Sequence, residues 1–373
     1  MIMKRKLSSL LLILILIFNF TGCFNYREIN KITFATSIIF DKDENDNVVI
    51  YLDCVRPYRD AGDSSDQGLR VLFKGEGKTA LEAIRTTDAI SSNKLNFSQV
   101  RAYIFTESAA QDGIKKYIDL INNSQEFGFK PYMFVYFGEV ENLLDVIGND
   151  KEYLGLYLDQ LIENNKGNGK LISSNINDYI TDTLTGEKIS IVSALEIKED
   201  TLEKKAELNG GVVIKNNKLV KRLPINETLS YNILMNPVKE GTFEVQNPNE
   251  TDKFVTLDIL NKNINKDIKV KDGRIIFNNN VDIRVSIGEI QGKLVVDNEV
   301  LNLIKNVQEK KVENYLTNIF KDYTENNIDI LGVSKLLEQK YPNSNIEDPL
   351  NNTDFNVNVN IIIDGSSLIR DSL

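Results

Sequence analysis

Val281-Asp282-Ile283-Arg284-Val285-Ser286-Ile287 alternates apolar and polar side chains without a break. A period of two puts Val281, Ile283, Val285 and Ile287 on one face of a strand and the polar residues on the other. One dry face and one wet face mark an antiparallel sheet covered on a single side. Val255, Leu257 and Ile259 show the same habit upstream. Phe355, Val357, Val359, Ile361 and Ile363 show it near the C-terminus, alternating with Asn356, Asn358 and Asn360. Between them, residues 299–323 carry Val312, Tyr315, Leu316, Ile319 and Tyr323 at helical spacing, a stripe suited to packing on a sheet. A shorter helix is expected at 334–340, and a hairpin at 211–215 and 218–223 turning on Asn216-Asn217. Residues 205–373 therefore read as an antiparallel sheet with a long packed helix.

The half before it has a different rhythm. Strands are expected at 32–40 and 48–55, a helix at 80–90 and a strand at 100–106. A helix begun by Ser108 follows, with Ile114, Tyr117, Ile118 and Ile121 on one face. Then come a strand at 132–137, helices at 143–147 and 153–162, and a strand at 189–197. Alternating strand and helix is α/β-like and predicts a mixed sheet. Residues 60–68 and 164–170 read as polar loops. The charged stretch 198–207 reads as the boundary of a 23–200 region long enough for two domains. The chain has 373 residues, more than a single core of about 250–300 usually holds. The fold class is α+β and multidomain.

The chemistry is limited by what is missing. The sequence contains no histidine, which removes Ser-His-Asp and Cys-His catalysis and any imidazole ligand for zinc. Cys54 lies in an apolar strand and reads as a small buried residue. Residues 41–47 start like an EF-hand loop, but Asp46 stands where glycine is needed and Leu52 where the closing glutamate belongs, so a polar turn is expected. Gly75-Glu76-Gly77-Lys78-Thr79 lacks the first glycine of a phosphate loop, Leu72 standing there, and Thr79 with Glu82 reads as a capping box instead. Gly167-Asn168-Gly169 is too isolated for a dinucleotide motif. A carboxylate pair of the glycosidase type stays open, but 54 acidic residues offer too many pairs to single one out. No metal and no cofactor is predicted.

The N-terminus carries the clearest signal. Lys4, Arg5 and Lys6 precede an apolar run from Leu10 to Phe18 that reaches Phe20 across Asn19. This is the charged region and short apolar core of a secretory signal, too short for the roughly 20 residues a spanning helix needs. It ends in Phe20-Thr21-Gly22-Cys23, which resembles the lipobox of exported lipoproteins. Residues 1–22 are expected to be cleaved and Cys23 to carry the lipid. Three of the 44 basic side chains lie in the removed segment, against 54 acidic ones elsewhere, so the remainder is near −13. That charge disfavours nucleic acid and broad adhesion to anionic lipid. Membrane attachment is expected through the anchor.

Five blocks in order resemble one family. Gly22-Cys23-Phe24-Asn25-Tyr26-Arg27-Glu28-Ile29-Asn30 is similar to the opening of mature Ger(x)C spore germination lipoproteins, with Phe24 in place of the common Trp. Residues 95–104, Leu-Asn-Phe-Ser-Gln-Val-Arg-Ala-Tyr-Ile, resemble that family's strand after its first helix, Gln99 standing where His is frequent. Gly210-Gly211-Val212-Val213-Ile214-Lys215, with Lys218-Leu219-Val220 and Glu227-Thr228, resembles its central hairpin. Asp329-Ile330-Leu331-Gly332 with Lys340-Tyr341-Pro342 resembles the segment after its long helix, and the terminal alternating strand completes the set.

The resemblance implies a non-enzymatic, three-domain α+β lipoprotein on the outer face of the inner membrane of a spore. It would be a subunit of a nutrient-germinant receptor, assembled with a polytopic A subunit and a permease-like B subunit. Arg27 and Glu28, just past the anchor, are candidate partner contacts, and a solvated or locally paired tether is at least as good a reading of them. The alternative function is a solute-binding lipoprotein of a transporter, which would close two α/β lobes on a ligand. A third is an exported hydrolase using two carboxylates.

Overall fold

The computed structural model describes residues 29–57, 68–149, 153–199 and 202–364. Two sheets organise them. The first holds β1 (Ile32–Lys42), β2 (Val48–Arg56), β3 (Leu69–Gly77), β4 (Lys94–Asn96), β5 (Ala102–Thr106), β6 (Tyr132–Tyr136), β7 (Ile189–Lys198), β8 (Lys205–Lys215) and β9 (Lys218–Leu223). Its order is β3-β2-β1-β5-β6-β7-β8-β9, with β4 beside the start of β1. The centre, β1-β5-β6-β7, is parallel, and both flanks are antiparallel.

Parallel strands need crossovers, and the crossovers cover both faces. One face carries α1 (Ala80–Ile90), α2 (Glu107–Asp112), α3 (Lys115–Asn123) and α6 (Ile176–Thr183). The other carries α4 (Val140–Asn149) and α5 (Leu154–Asn164). Residues 35–40 of β1 are consequently all buried. Phe40 is stacked on Phe105 at 5.2 Å and lies 4.9 Å from Tyr117. The helix expected from Ser108 is two helices, the first capped by Thr106, whose hydroxyl accepts from the Ala109 N–H. Gly113, at φ 130°, breaks them apart.

The charged stretch 198–207 lies within this sheet and does not end it. β7 and β8 pair antiparallel from Ile189–Lys215 to Lys198–Lys205, so the charges flank a hairpin turn. Charged turns and charged linkers have the same composition, and only the pairing tells them apart.

After α7 (Ile225–Met235) the second sheet forms from β10 (Thr242–Gln246), β11 (Phe254–Lys271), β12 (Arg274–Ile290) and β13 (Thr353–Ile363), in that order. Val281, Ile283, Val285 and Ile287 are buried, as their alternation predicts. The long helix is α8 (Asn298–Thr324), capped by Asp297, whose carboxylate accepts from the Val300 N–H. Its buried stripe is Ile304, Gln308, Val312, Leu316, Ile319, Phe320 and Tyr323. Phe320 stacks on Phe355 at 4.5 Å. Tyr315, expected in the stripe, is half exposed.

The antiparallel expectation holds for β10, β11 and β12, but β13 runs parallel to β12. The cause is the crossover. A helix of 27 residues carries the chain roughly 40 Å at 1.5 Å per residue, and through α9 (Val333–Lys340) it returns to the start of β12. The last strand then leaves in the same direction. Its open edge is closed by α8, where the Glu313 and Glu309 carboxylates accept from the Val359 and Ile361 N–H groups at 3.0 and 2.8 Å. A covered edge cannot pair with another chain.

Candidate functional site

Phe20, Thr21, Gly22, Cys23, Arg27 and Glu28, with the whole of residues 1–22 and nearly all of the 60–68 loop, lie outside the described residues. The described chain enters at Ile29, exposed beside the start of β1.

The suspect motifs resolve into structural devices. A Cβ on Gly75 would sit 2.1 Å from the Ala83 carbonyl oxygen, and one on Gly77 would sit 2.8 Å from the Ala83 nitrogen. These glycines let α1 lie against β3, which is why they imitate a phosphate loop without its cradle. Thr79 accepts from the Glu82 N–H at 3.2 Å, and Glu82 accepts from the Lys78 N–H at 2.7 Å. In the 41–47 turn, Asp43 accepts from both the Asn45 and Asn47 backbones and from the Asn47 amide. Those bonds hold its carboxyl below the usual range, the Asn47 side chain first. The 164–170 loop is tied down: the Gly169 N–H donates to the Glu240 carbonyl, and buried Asn232 donates to the carbonyls of Gly169 and Leu171.

Two family-like blocks have equally local causes. Gly210 takes φ 73°, and a Cβ there would meet the Leu223 carbonyl oxygen at 2.3 Å. The Asp329 carboxylate caps α9 by accepting from the Val333 and Ser334 N–H groups, both at 2.7 Å, and Gly332 turns left-handed between them at φ 68°.

Nothing described resembles a catalytic centre. Cys54 is fully buried, and burial pushes its thiol far up, away from nucleophilic use. Asp53, also buried, accepts from Nε and Nη2 of Arg70 at 2.8 and 2.6 Å and from the Leu154 N–H at 3.1 Å. Burial raises its carboxyl pKa while Arg70 pulls it back. This pair ties the edge strand β3 and helix α5 to β2. Among the described residues no group of three Cys, Asp or Glu side chains is placed to hold a metal ion, and no helix is long and apolar enough to cross a membrane.

What the fold does open is a groove of about 450 Å³ between α7 and α8. Buried Ile233, Phe243, Val312 and Ile319 form its floor, with Gln308 among them. The Gln308 Oε1 is fully buried and accepts no hydrogen bond. A polar residue at a core position of the α8 stripe was the available signal for it. A second departure was invisible in the sequence: Lys262 and Lys266 point inward from β11. The bulge between Ile259 and Asn261 shifts the register, bringing these lysines opposite Ile283 and Asn279 on the packed face. Among the described residues the Lys266 ammonium donates to the Met235 sulfur, at 3.1 Å. Burial lowers both ammonium pKa values to about 8, Lys262 adding repulsion at Lys266.

Comparison with known proteins agrees with this architecture. The model of the spore germination protein N-terminal domain matches residues 25–197, and that of the spore germination B3/GerAC-like C-terminal domain matches residues 209–367. Spore germination protein GerQC of Bacillus cereus is 21% identical over 335 residues, 90% of each chain. Spore germination protein KC of Bacillus subtilis (strain 168) is 20% identical over 363 residues, covering 91% of this chain and 89% of the relative. The crystal structure of the GerBC protein superposes with a TM-score of 0.56 at 16% identity, over 87% of this chain and 96% of that one, a likeness of fold. With two family domains in sequence along nearly its whole length, the chain belongs to the Ger(x)C family of spore germination proteins.

Proposed function

We propose that this protein is the lipid-anchored C subunit of a spore nutrient-germinant receptor, acting in receptor assembly or signalling without catalysis of its own. The observation that carries the reading is the pair of germination-domain matches in order over residues 25–197 and 209–367. In this reading residues 1–22 are a signal peptide and Cys23 is acylated, which fixes the mature chain to the outer face of the spore inner membrane. Ile32, where β1 starts, is nine residues on from Cys23, so the start of β1 hangs within about 32 Å of the anchor at 3.3–3.6 Å per residue. One acyl chain holds weakly and two or more hold stably, at about 0.8 kcal/mol per buried methylene. The acidic, histidine-free body contributes little adhesion or acid-base chemistry, so placement is central to its function. The partners are the polytopic A subunit and the permease-like B subunit.

The solute-binding alternative needs two similar α/β lobes around a ligand. The second sheet, with three antiparallel strands and one packed face, supports it poorly. The test is co-purification from detergent-solubilised spore membranes together with gene deletion. The expected result is recovery of both polytopic subunits with the chain, and loss of germination by particular nutrients with sporulation intact. Recovery of the chain alone, with normal germination in every nutrient, refutes the reading.

A further inference from the structure

Three features of the α7–α8 groove bear on binding. The first is shape: about 450 Å³ over an apolar floor of Ile233, Phe243, Val312 and Ile319, within the range of pockets that hold ligands. The second is Gln308, 1% exposed, lining the groove with an Oε1 that has no donor. A buried carbonyl oxygen left unpaired costs about 1–3 kcal/mol; this oxygen is closed to solvent, so an occupant's N–H relieves that cost by drawing the amide round to face the groove.

The third feature is charge polarity along the groove. At one end Lys311 reaches the Glu244 carbonyl at 3.0 Å and Lys170 reaches the Thr242 hydroxyl at 3.5 Å. Among the described residues lining that end Glu244 is the one carboxylate against two lysines, which leaves one positive charge over. At the other end Glu227 accepts from the Tyr323 hydroxyl at 3.1 Å, and Asp322 lies beside it on α8. Asp322 is eleven residues on from Lys311, or roughly 16 Å along a helix at 1.5 Å each. An extended chain at about 3.3 Å per residue covers that span with about five residues. Tyr315 stands half exposed on the rim, and Leu303 and Val307, half exposed at the same four-residue spacing, prolong an apolar ridge beyond the groove.

We infer that this groove binds an extended segment of a partner polypeptide, about five residues long. The segment is apolar in the middle, acidic where it meets Lys311 and Lys170, and basic where it meets Glu227 and Asp322, with a main-chain N–H donating to Gln308. The groove chemistry stands on its own. That the segment belongs to a polytopic receptor subunit rests on the proposed function.

Photo-crosslinking tests this in the full chain in its native membrane. p-Benzoylphenylalanine is placed at Tyr315, with Asn358 on the exposed face of the second sheet as control, and the adduct is sequenced by mass spectrometry. The expected adduct from position 315 is one segment of a polytopic receptor subunit with the stated charge order, and position 358 gives none. Its yield falls at least tenfold in Lys311→Glu and in Gln308→Leu. Gln308→Leu melts no lower than the parent, because it removes an unsatisfied polar group without opening a cavity. An adduct with the same charge dependence from a protein that is no receptor subunit keeps the groove inference and overturns the receptor reading. A self-adduct, a small-molecule adduct, no adduct, or a yield unchanged in both variants overturns the groove inference, whatever the deletion phenotype.

Discussion

The first sheet is buried on both faces and the second on one, and this difference governs what each tolerates. In the first, helices lie on either side of a parallel centre, and backbone meets backbone with glycine as the spacer. A Cβ on Gly155 of α5 would stand 1.8 Å from the Thr36 carbonyl oxygen of β1. In the second, β11 and β12 bury one row of side chains and leave Asn265, Asn280, Asp282 and their neighbours in solvent. The second half carries inward lysines, an unpaired glutamine on the helix packed against its sheet and an edge closed by carboxylates, while the first buries its unpaired polar atoms, Thr33 Oγ1, Ser37 Oγ and Asp53 Oδ1, within the strands themselves. Tight two-sided packing suits a scaffold, and the groove proposed for a partner lies in the half packed on one side.

The comparison breaks first at its tightest contact. Gly155→Val is expected to cost more than about 3 kcal/mol, since neither α5 nor β1 can yield. Little soluble folded protein should be recovered, and a melting temperature within a few degrees of the parent would show the two-sided sheet to be less rigid than described. Glu309→Ala with Glu313→Ala uncaps two N–H groups of β13 and should cost about 3 kcal/mol in chemical denaturation, from the loss of two charge-assisted hydrogen bonds. An unchanged midpoint would mean that hydrophobic contact alone docks α8.

The inward lysines give a prediction of opposite sign. Lys266→Met should stabilise the protein at pH 7 by about 1–2 kcal/mol, since a half-buried, largely desolvated ammonium set against the neutral Met235 sulfur is replaced by a side chain of similar volume. The folded pKa of about 8 lies below the ordinary 10.5. From pH 8 to 10.5 the unfolded chain therefore holds a proton that the folded chain lacks. This group's contribution to stability is present above 10.5, falls as pH drops towards 8, and is lost below it. The advantage of Lys266→Met over the parent should be full below pH 8 and vanish by pH 10.5. Taking the difference removes the titration of tyrosines common to both. A constant advantage across that range would deny the shift. The smallest effect is Thr79→Ala, about 1 kcal/mol from loss of one helix cap, read as a small drop in melting temperature.

How much of this could be read from the sequence follows the same division. The one-sided strands spell out their period, and β12 and β13 lie where the alternation puts them. The two-sided strands show only as short apolar runs, which sufficed for β1, β2, β5, β6 and β7. The edge strand β3 passed unread because Leu69, Leu72 and Lys74 are exposed and the alternation dissolves. Helix α7 was hidden by Thr228, Ser230 and Asn232, polar residues buried along with its apolar ones. The parallel direction of β13 and the inward turn of Lys262 and Lys266 depend on pairing, and no local period encodes pairing. The candidate site divides likewise. The Cys23 segment, outside the described residues, is proposed from sequence order alone, charge then apolar run then small residues. The groove exists only once α7 and α8 are packed, with Gln308 in the stripe as its one trace.

Cys23→Ala tests the central claim most directly, by fractionating spores into membrane and soluble material and measuring germination. The account predicts a folded protein that leaves the membrane fraction, with weakened nutrient germination. Membrane retention equal to the parent, with unchanged germination, would contradict it.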